Sequence, residues 1–317
     1  MVEFCRTCCG SWSAGGSAVR LLLILGAVAT LSGCRFWYKP VKVASAIGAE
    51  RTVLAGDSVN VHREDRFEVY GPNSEAVYDG YEQLNRAYRA FERHFGVPGP
   101  RIALILSADS TVPFDVGTLR GFRDRGYTAV RYVHPRSYRS PTRYGALGYG
   151  GVIWPAAPTA ARVMLARFAE AHLELDGVRP DTALLERFPV WFRAAVIHLV
   201  GEGGSAANDL DYAREKRHLL LPLRDLLTLV RPASADSLLD PSRRADADET
   251  TRVIGAEGSS FARFLAEREG PAVVGSIARS YLARRSLNEI LAELRNSPRS
   301  MPEMEQRWRY WLETRED

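Results

Sequence analysis

Apolar residues recur three or four positions apart over Val77, Tyr81, Leu84, Tyr88, Phe91 and Phe95. That period lines one face of a helix. Ser74 is placed as its N-cap, and Gly96 and Pro98 close it. Strand patterns flank it. Phe67-Glu68-Val69-Tyr70 alternates, and Arg101 to Ser107 encloses the run Ile-Ala-Leu-Ile-Leu, as a buried strand does. Tyr127 to His134 and Gly150 to Trp154 read as further strands, and the chain between them as loop.

The pattern then turns helical. One helix is predicted from about Ala161 to Leu175, with a stripe of Met164, Phe168, Ala171 and Leu175 as its packing face. A second runs from about Pro189 to Val200, ended by Gly201 to Gly204. Residues 205 to 218 are polar and read as loop, and a short helix follows Pro222. Arg231 to Asp248 is rich in Asp, Ser and Pro and reads as a surface segment. Gly258-Ser259 opens a helix with Phe261, Phe264 and Leu265 inward, and Gly270-Pro271 breaks it. Helices near 272–284, 287–295 and 301–313 follow. Ser300 with Glu303 fits a capping box, and Met304, Trp308 and Trp311 give the last helix an apolar face. The fold class is α+β: a small mixed sheet with a long helix, then a mainly helical lobe.

The start of the chain is of another kind. Arg20 precedes an apolar or small run from Leu21 to Thr30, too short to span a bilayer comfortably. Leu31-Ser32-Gly33-Cys34 follows at once and resembles the bacterial lipobox, in which the Cys becomes the lipidated first residue of the mature protein. The resemblance implies a signal peptide over 1–34 and a membrane anchor through lipid on Cys34. Arg35 and Phe36 come next rather than Asp, which in a host with two membranes favours the outer membrane, facing the periplasm. A tether over 35–60, an α/β lobe over 61–158 and a helical lobe over 159–317 complete the expected organisation. Cys5, Cys8 and Cys9 lie in the leader, so the mature chain has no cysteine for a disulfide or a thiolate metal site.

Composition changes the picture little. With 46% apolar and 25% charged residues the chain can bury a core. A formal charge of only +4 does not suggest nucleic-acid binding. The arginines do cluster between Leu119 and Tyr149, interleaved with tyrosines. Arg131, Arg136, Arg139, Tyr132 and Tyr138 are the candidates there for an anionic ligand. The other reading of that segment is a solvated loop on a sheet edge.

A second resemblance rests on the helix pair. Pro189, Trp191 and Phe192 match the start of a helix written Pro-x-Trp-Leu-x-Glu-Gly-x-Ala. Gly258, Ser260 and Phe261 match a downstream Gly-x-Ser-Phe helix, and Trp308 and Trp311 a terminal Trp-x-x-Trp. These resemble the gluzincin, or peptidase-MA-like, group of zinc metallopeptidases. The resemblance implies a zincin-like fold from about 65 to 313. It does not carry over the chemistry. In that group His-Glu-x-x-His puts two ligands on one helix face and a Glu beside the bound water. By spacing from Trp191, those positions hold Arg167, Phe168 and Ala171, and the third ligand falls at Ala194. Catalytic zinc takes three protein ligands, so no catalytic residue, metal ligand or cofactor is assigned. His172 and His198 remain as a possible ligand-binding pair. The expectation is an envelope lipoprotein with a catalytically degenerate domain that binds a protein, a peptide or an anionic cell-wall ligand. A hydrolase with a rebuilt site and a structural spacer are the alternatives.

Overall fold

The computed structural model describes residues 48–107, 116–133, 156–175, 182–201, 206–229 and 247–315. Outside the described residues lie Cys34, the segment holding Arg136, Tyr138 and Arg139, the strand expected at 150–154 and most of the surface segment after Arg231.

Five strands form one sheet whose spatial order follows the chain. β1 (Glu50–Leu54) and β2 (Asp57–Arg63) make an antiparallel hairpin. Ala55 and Gly56 turn it, both at positive φ, the two-residue geometry that matches strand twist. β3 (Phe67–Gly71) pairs antiparallel with β2 and parallel with β4 (Ile102–Ser107), which pairs parallel with β5 (Thr128–Val133). The sheet therefore begins within the segment expected to be a tether. β2 has apolar residues only at Val59 and Val61, a weak signal for an outlying strand.

Alternation along β4 divides the core. Ile102, Leu104 and Leu106 join Phe67, Val69 and the helical lobe on one face. Ala103 and Ile105 join Val61, Tyr70, Phe122 and Tyr127 on the other. α1 (Ser74–Phe95) covers the first face with Val77, Leu84, Tyr88, Phe91 and Phe95. Its N-cap is Asn73, not Ser74: the Asn73 side chain accepts from the Ala76 N–H at 2.8 Å. Gly96, at φ 69°, ends it. α2 (Val116–Asp124) sets Phe122 against the second face.

The rest is helical: α3 (Ala156–His172), α4 (Val190–Gly201), α5 (Ala206–Glu215), α6 (Leu223–Thr228), α7 (Ala247–Glu269), α8 (Val273–Leu282), α9 (Leu287–Ala292) and α10 (Met301–Thr314). Two short 3-10 turns, Thr182–Arg187 and Arg217–Leu219, join them. α5 replaces the loop expected at 205–218. Among its described side chains Leu210 and Ala213 are buried, and α7 packs against it. α7 starts at Ala247, well before Gly258, which sits inside it. The capping box expected at Ser300 does not form. Ser300 caps without a side-chain bond, and the reciprocal box is at Ser286 and Glu289. Among the described residues no helix is long and apolar enough to cross a membrane.

Candidate functional site

α3 and α4 pack with opposed ends. Gly201, closing α4, lies so near Pro158 that a Cβ there would stand 2.7 Å from the Pro158 Cα. Small residues make this approach possible: Ala157, Ala160, Ala161, Ala166 and Ala169 of α3 are all buried. Gly258 plays the same part where α7 crosses α4. A Cβ there would be 2.6 Å from the Trp191 carbonyl oxygen. Around that crossing Trp191 meets Phe261 at 5.6 Å, Phe261 meets Trp308 at 5.8 Å, and Trp308 Nε1 donates to Ser260 Oγ at 3.3 Å.

The stripe read as a packing face on α3 is buried only at its start. Met164 is fully buried, Phe168 half-buried, and Ala171 and Leu175 exposed. Its later turns open onto a cavity of about 390 Å³. Phe91 of α1, Val97, Pro98 and Pro100 form one wall, Arg167, Phe168, Ala171 and His172 of α3 the other, and Arg279 of α8 the rim. Phe168 sets its edge on Phe95 at 4.9 Å, and His172 lies nearly parallel to Phe168 at 6.4 Å. The volume is that of a small-ligand pocket.

Three of the four positions named from the helix pair, Arg167, Phe168 and Ala171, meet in this cavity, because they share one helix face. Ala194, half-buried on α4, is not in its lining. Arg167 is bound inward. Its Nη1 donates to Glu170 Oε2 at 2.7 Å, and its Nε to Thr128 Oγ1 at 2.9 Å. The Glu170 side chain is only 4% exposed, so the guanidinium neutralises a carboxylate the fold has already desolvated.

His172 and His198 do not form a pair. About 21 Å of helix separates Pro158 from His172, whereas His198 lies one turn from the end of α4 that meets Pro158. The His198 ring packs on α7, where a Cβ at Gly255 would come within 2.6 Å of it. Among the described residues no group of three or more His, Cys, Asp or Glu side chains could hold a metal ion.

The arginine and tyrosine segment is only partly within the described residues. Arg131 pairs with Ile105 across the ladder and so belongs to the sheet face of Phe122, opposite the face that α3 covers. It is not brought to the cavity. Tyr132 follows on the same strand. Arg125 is engaged within the fold. It grips buried Glu68 through two bonds of 3.0 Å, and Glu68 also accepts from Tyr70 at 2.6 Å. Burial, then the Glu68 contact, pushes the Tyr70 phenol up. Sequence reasoning missed Val97, Pro98, Pro100 and Arg279, which reach the cavity only through the fold.

Compared with protein-family models, curated proteins and solved structures, the chain finds no match.

Proposed function

We propose that this chain is a lipid-anchored protein of the cell envelope, built on a gluzincin-like frame whose zinc chemistry has been lost, and that the old cleft binds peptide. The observation that carries this reading is Arg167. It stands where the resemblance would put the first zinc-binding histidine, and it is committed to Glu170 and Thr128. A guanidinium there repels a dication and offers no lone pair.

The frame has support of its own. The residues that carry the resemblance, Trp191, Ser260, Phe261 and Trp308, interlock in one buried cluster. A five-stranded sheet followed by a helical lobe is also the order the zincin reading requires.

The cavity suggests the ligand. Its walls are aromatic, proline and aliphatic, with cations at the edge. Arg279 is exposed and forms no ion pair among the described residues. An apolar side chain would sit against Phe168 and Phe91, while a terminal or side-chain carboxylate meets Arg279. Membrane attachment through Cys34 would present this cleft to envelope proteins or cell-wall peptides.

The test is equilibrium binding of a short-peptide library with free C-termini to the full-length chain. Enriched peptides should carry an apolar residue near an acidic group and be recovered uncleaved. Ala171→Trp, which fills the cavity from an exposed position, and Arg279→Glu should each abolish enrichment. Enrichment that ignores both substitutions, or steady hydrolysis of the bound peptides, would refute the reading.

A further inference from the structure

Across α1 from the cleft lies a second cavity, of about 500 Å³, with a very different lining. Arg86, Arg89 and Arg93 stand in a row along α1, three and four positions apart, spanning about 10 Å of helix. Arg263 of α7 and Arg315, just past α10, approach from the other side with Glu267. The lining thus holds five arginines and one carboxylate, and three of the arginines, Arg86, Arg89 and Arg93, belong to one helix.

That carboxylate is already engaged. Glu267 pairs with Arg315 and accepts from Trp311 Nε1 at 2.7 Å. Among the described residues Arg86, Arg89 and Arg93 form no ion pair, and all three are exposed. His94 on the same wall adds no positive charge near neutrality: burial lowers its pKa, and its Nδ1 lies 3.4 Å from the Pro271 carbonyl. The result is a concave surface of one sign, which concentrates field lines and draws anions.

We propose that this cavity is a binding site for a diphosphate-class anion, held by the forks of Arg86, Arg89 and Arg93. Geometry and charge select this chemistry. A carboxylate has two oxygens and is saturated by one or two guanidinium groups. A diphosphate offers many acceptor oxygens and a charge of about −3 to −4, which suits the three planar forks of Arg86, Arg89 and Arg93. The same phosphate oxygens could come from a diphosphate free in solution, or from neighbouring phosphodiester headgroups, each carrying a single negative charge, of an anionic lipid at the membrane the chain is proposed to occupy.

The site is separate from the peptide cleft. Phe91 points to the cleft, whereas Arg89 and Arg93 lie about 160° from it around the helix. The two proposals therefore fail independently.

The test uses full-length chain in nonionic detergent. Titration with inorganic pyrophosphate by calorimetry should show saturable binding that weakens with salt. Arg89→Gln should lower affinity roughly tenfold, as expected for one charged hydrogen bond. Arg86→Gln/Arg89→Gln/Arg93→Gln should remove binding while the circular dichroism spectrum stays unchanged. Arg89→Lys should lie between, since the charge remains without the fork. Ala171→Trp, at the cleft, should leave pyrophosphate binding unaltered. A second arm measures partition onto vesicles of phosphatidylglycerol against phosphatidylcholine, where any lipid anchor contributes equally to both. Arginine-dependent preference for phosphatidylglycerol, displaced by pyrophosphate, assigns the headgroup as the source. Pyrophosphate binding without that preference assigns a soluble ligand. No binding in either arm, or binding indifferent to the triple substitution, overturns the proposal.

Discussion

Gly258→Ala probes the crossing on which the helical lobe depends. Gly258 lies within α7 with ordinary helical backbone, so alanine there should gain about 1 kcal/mol from helix propensity alone. Packing acts the other way. The added Cβ would stand 2.6 Å from the Trp191 carbonyl oxygen and 3.3 Å from its carbon, whereas even a close C–H···O contact needs about 3.3 Å. One helix must retreat by roughly 0.7 Å. The atom in the way is backbone, and the surrounding rings of Trp191, Phe261 and Trp308 are fully buried. Overpacking of this kind costs about 1–3 kcal/mol, here toward the upper end. The net expectation is a loss of about 1–2 kcal/mol, or a Tm lower by roughly 2–8 °C. Gly121→Ala is the control. It too is in a helix, but a Cβ there meets nothing within 4 Å, so this variant should be neutral or more stable. Urea unfolding of both variants gives the answer. If Gly258→Ala is as stable as Gly121→Ala, α7 does not cross α4 as described.

Three further outcomes follow from the same reasoning. Arg167→Met leaves the desolvated Glu170 carboxylate without its guanidinium and should cost roughly 3 kcal/mol, while Arg167→Met with Glu170→Leu should recover most of it by urea midpoint. Glu257 is fully buried, and desolvation, opposed by the Leu221 N–H and Arg309, raises its pKa well above the usual carboxylate value. A raised carboxyl pKa gives stability that is present below the unfolded value and lost as pH rises through the folded one. Glu257→Gln should therefore gain stability relative to the parent at pH 8 but not at pH 4, and a pH-independent difference would contradict this. Cys34→Ala should move the protein from the membrane fraction to the soluble fraction on ultracentrifugation, and retention in the membrane would refute the lipid anchor.

What could be read from the chain alone was what periodicity carries locally. β3, α1 and β4, and the bounds of α3 and α4 within a few residues, follow from apolar spacing that each element contains itself. β1 and β2 were hidden because an outlying strand needs little apolar surface, and Val53 is in fact largely exposed. α5 was hidden because, among its described side chains, only Leu210 and Ala213 are buried, and its packing is against α7, distant in sequence. The cleft was half legible. Arg167, Phe168 and Ala171 share a helix face and so had to stay together. Val97, Pro98 and Arg279 come from other elements and arrive by tertiary folding. The cationic cavity was less legible still. The row Arg86, Arg89 and Arg93 is visible in the sequence as the polar side of α1. Only the fold shows that Arg263 and Arg315 face it.

The proposal stands or falls on the cleft beside α3 holding no zinc. Zinc stoichiometry by inductively coupled plasma mass spectrometry, on full-length protein equilibrated with zinc and then desalted, tests it most directly. The prediction is well below one zinc per chain, unchanged by His172→Ala. One zinc per chain that is lost on His172→Ala would contradict it.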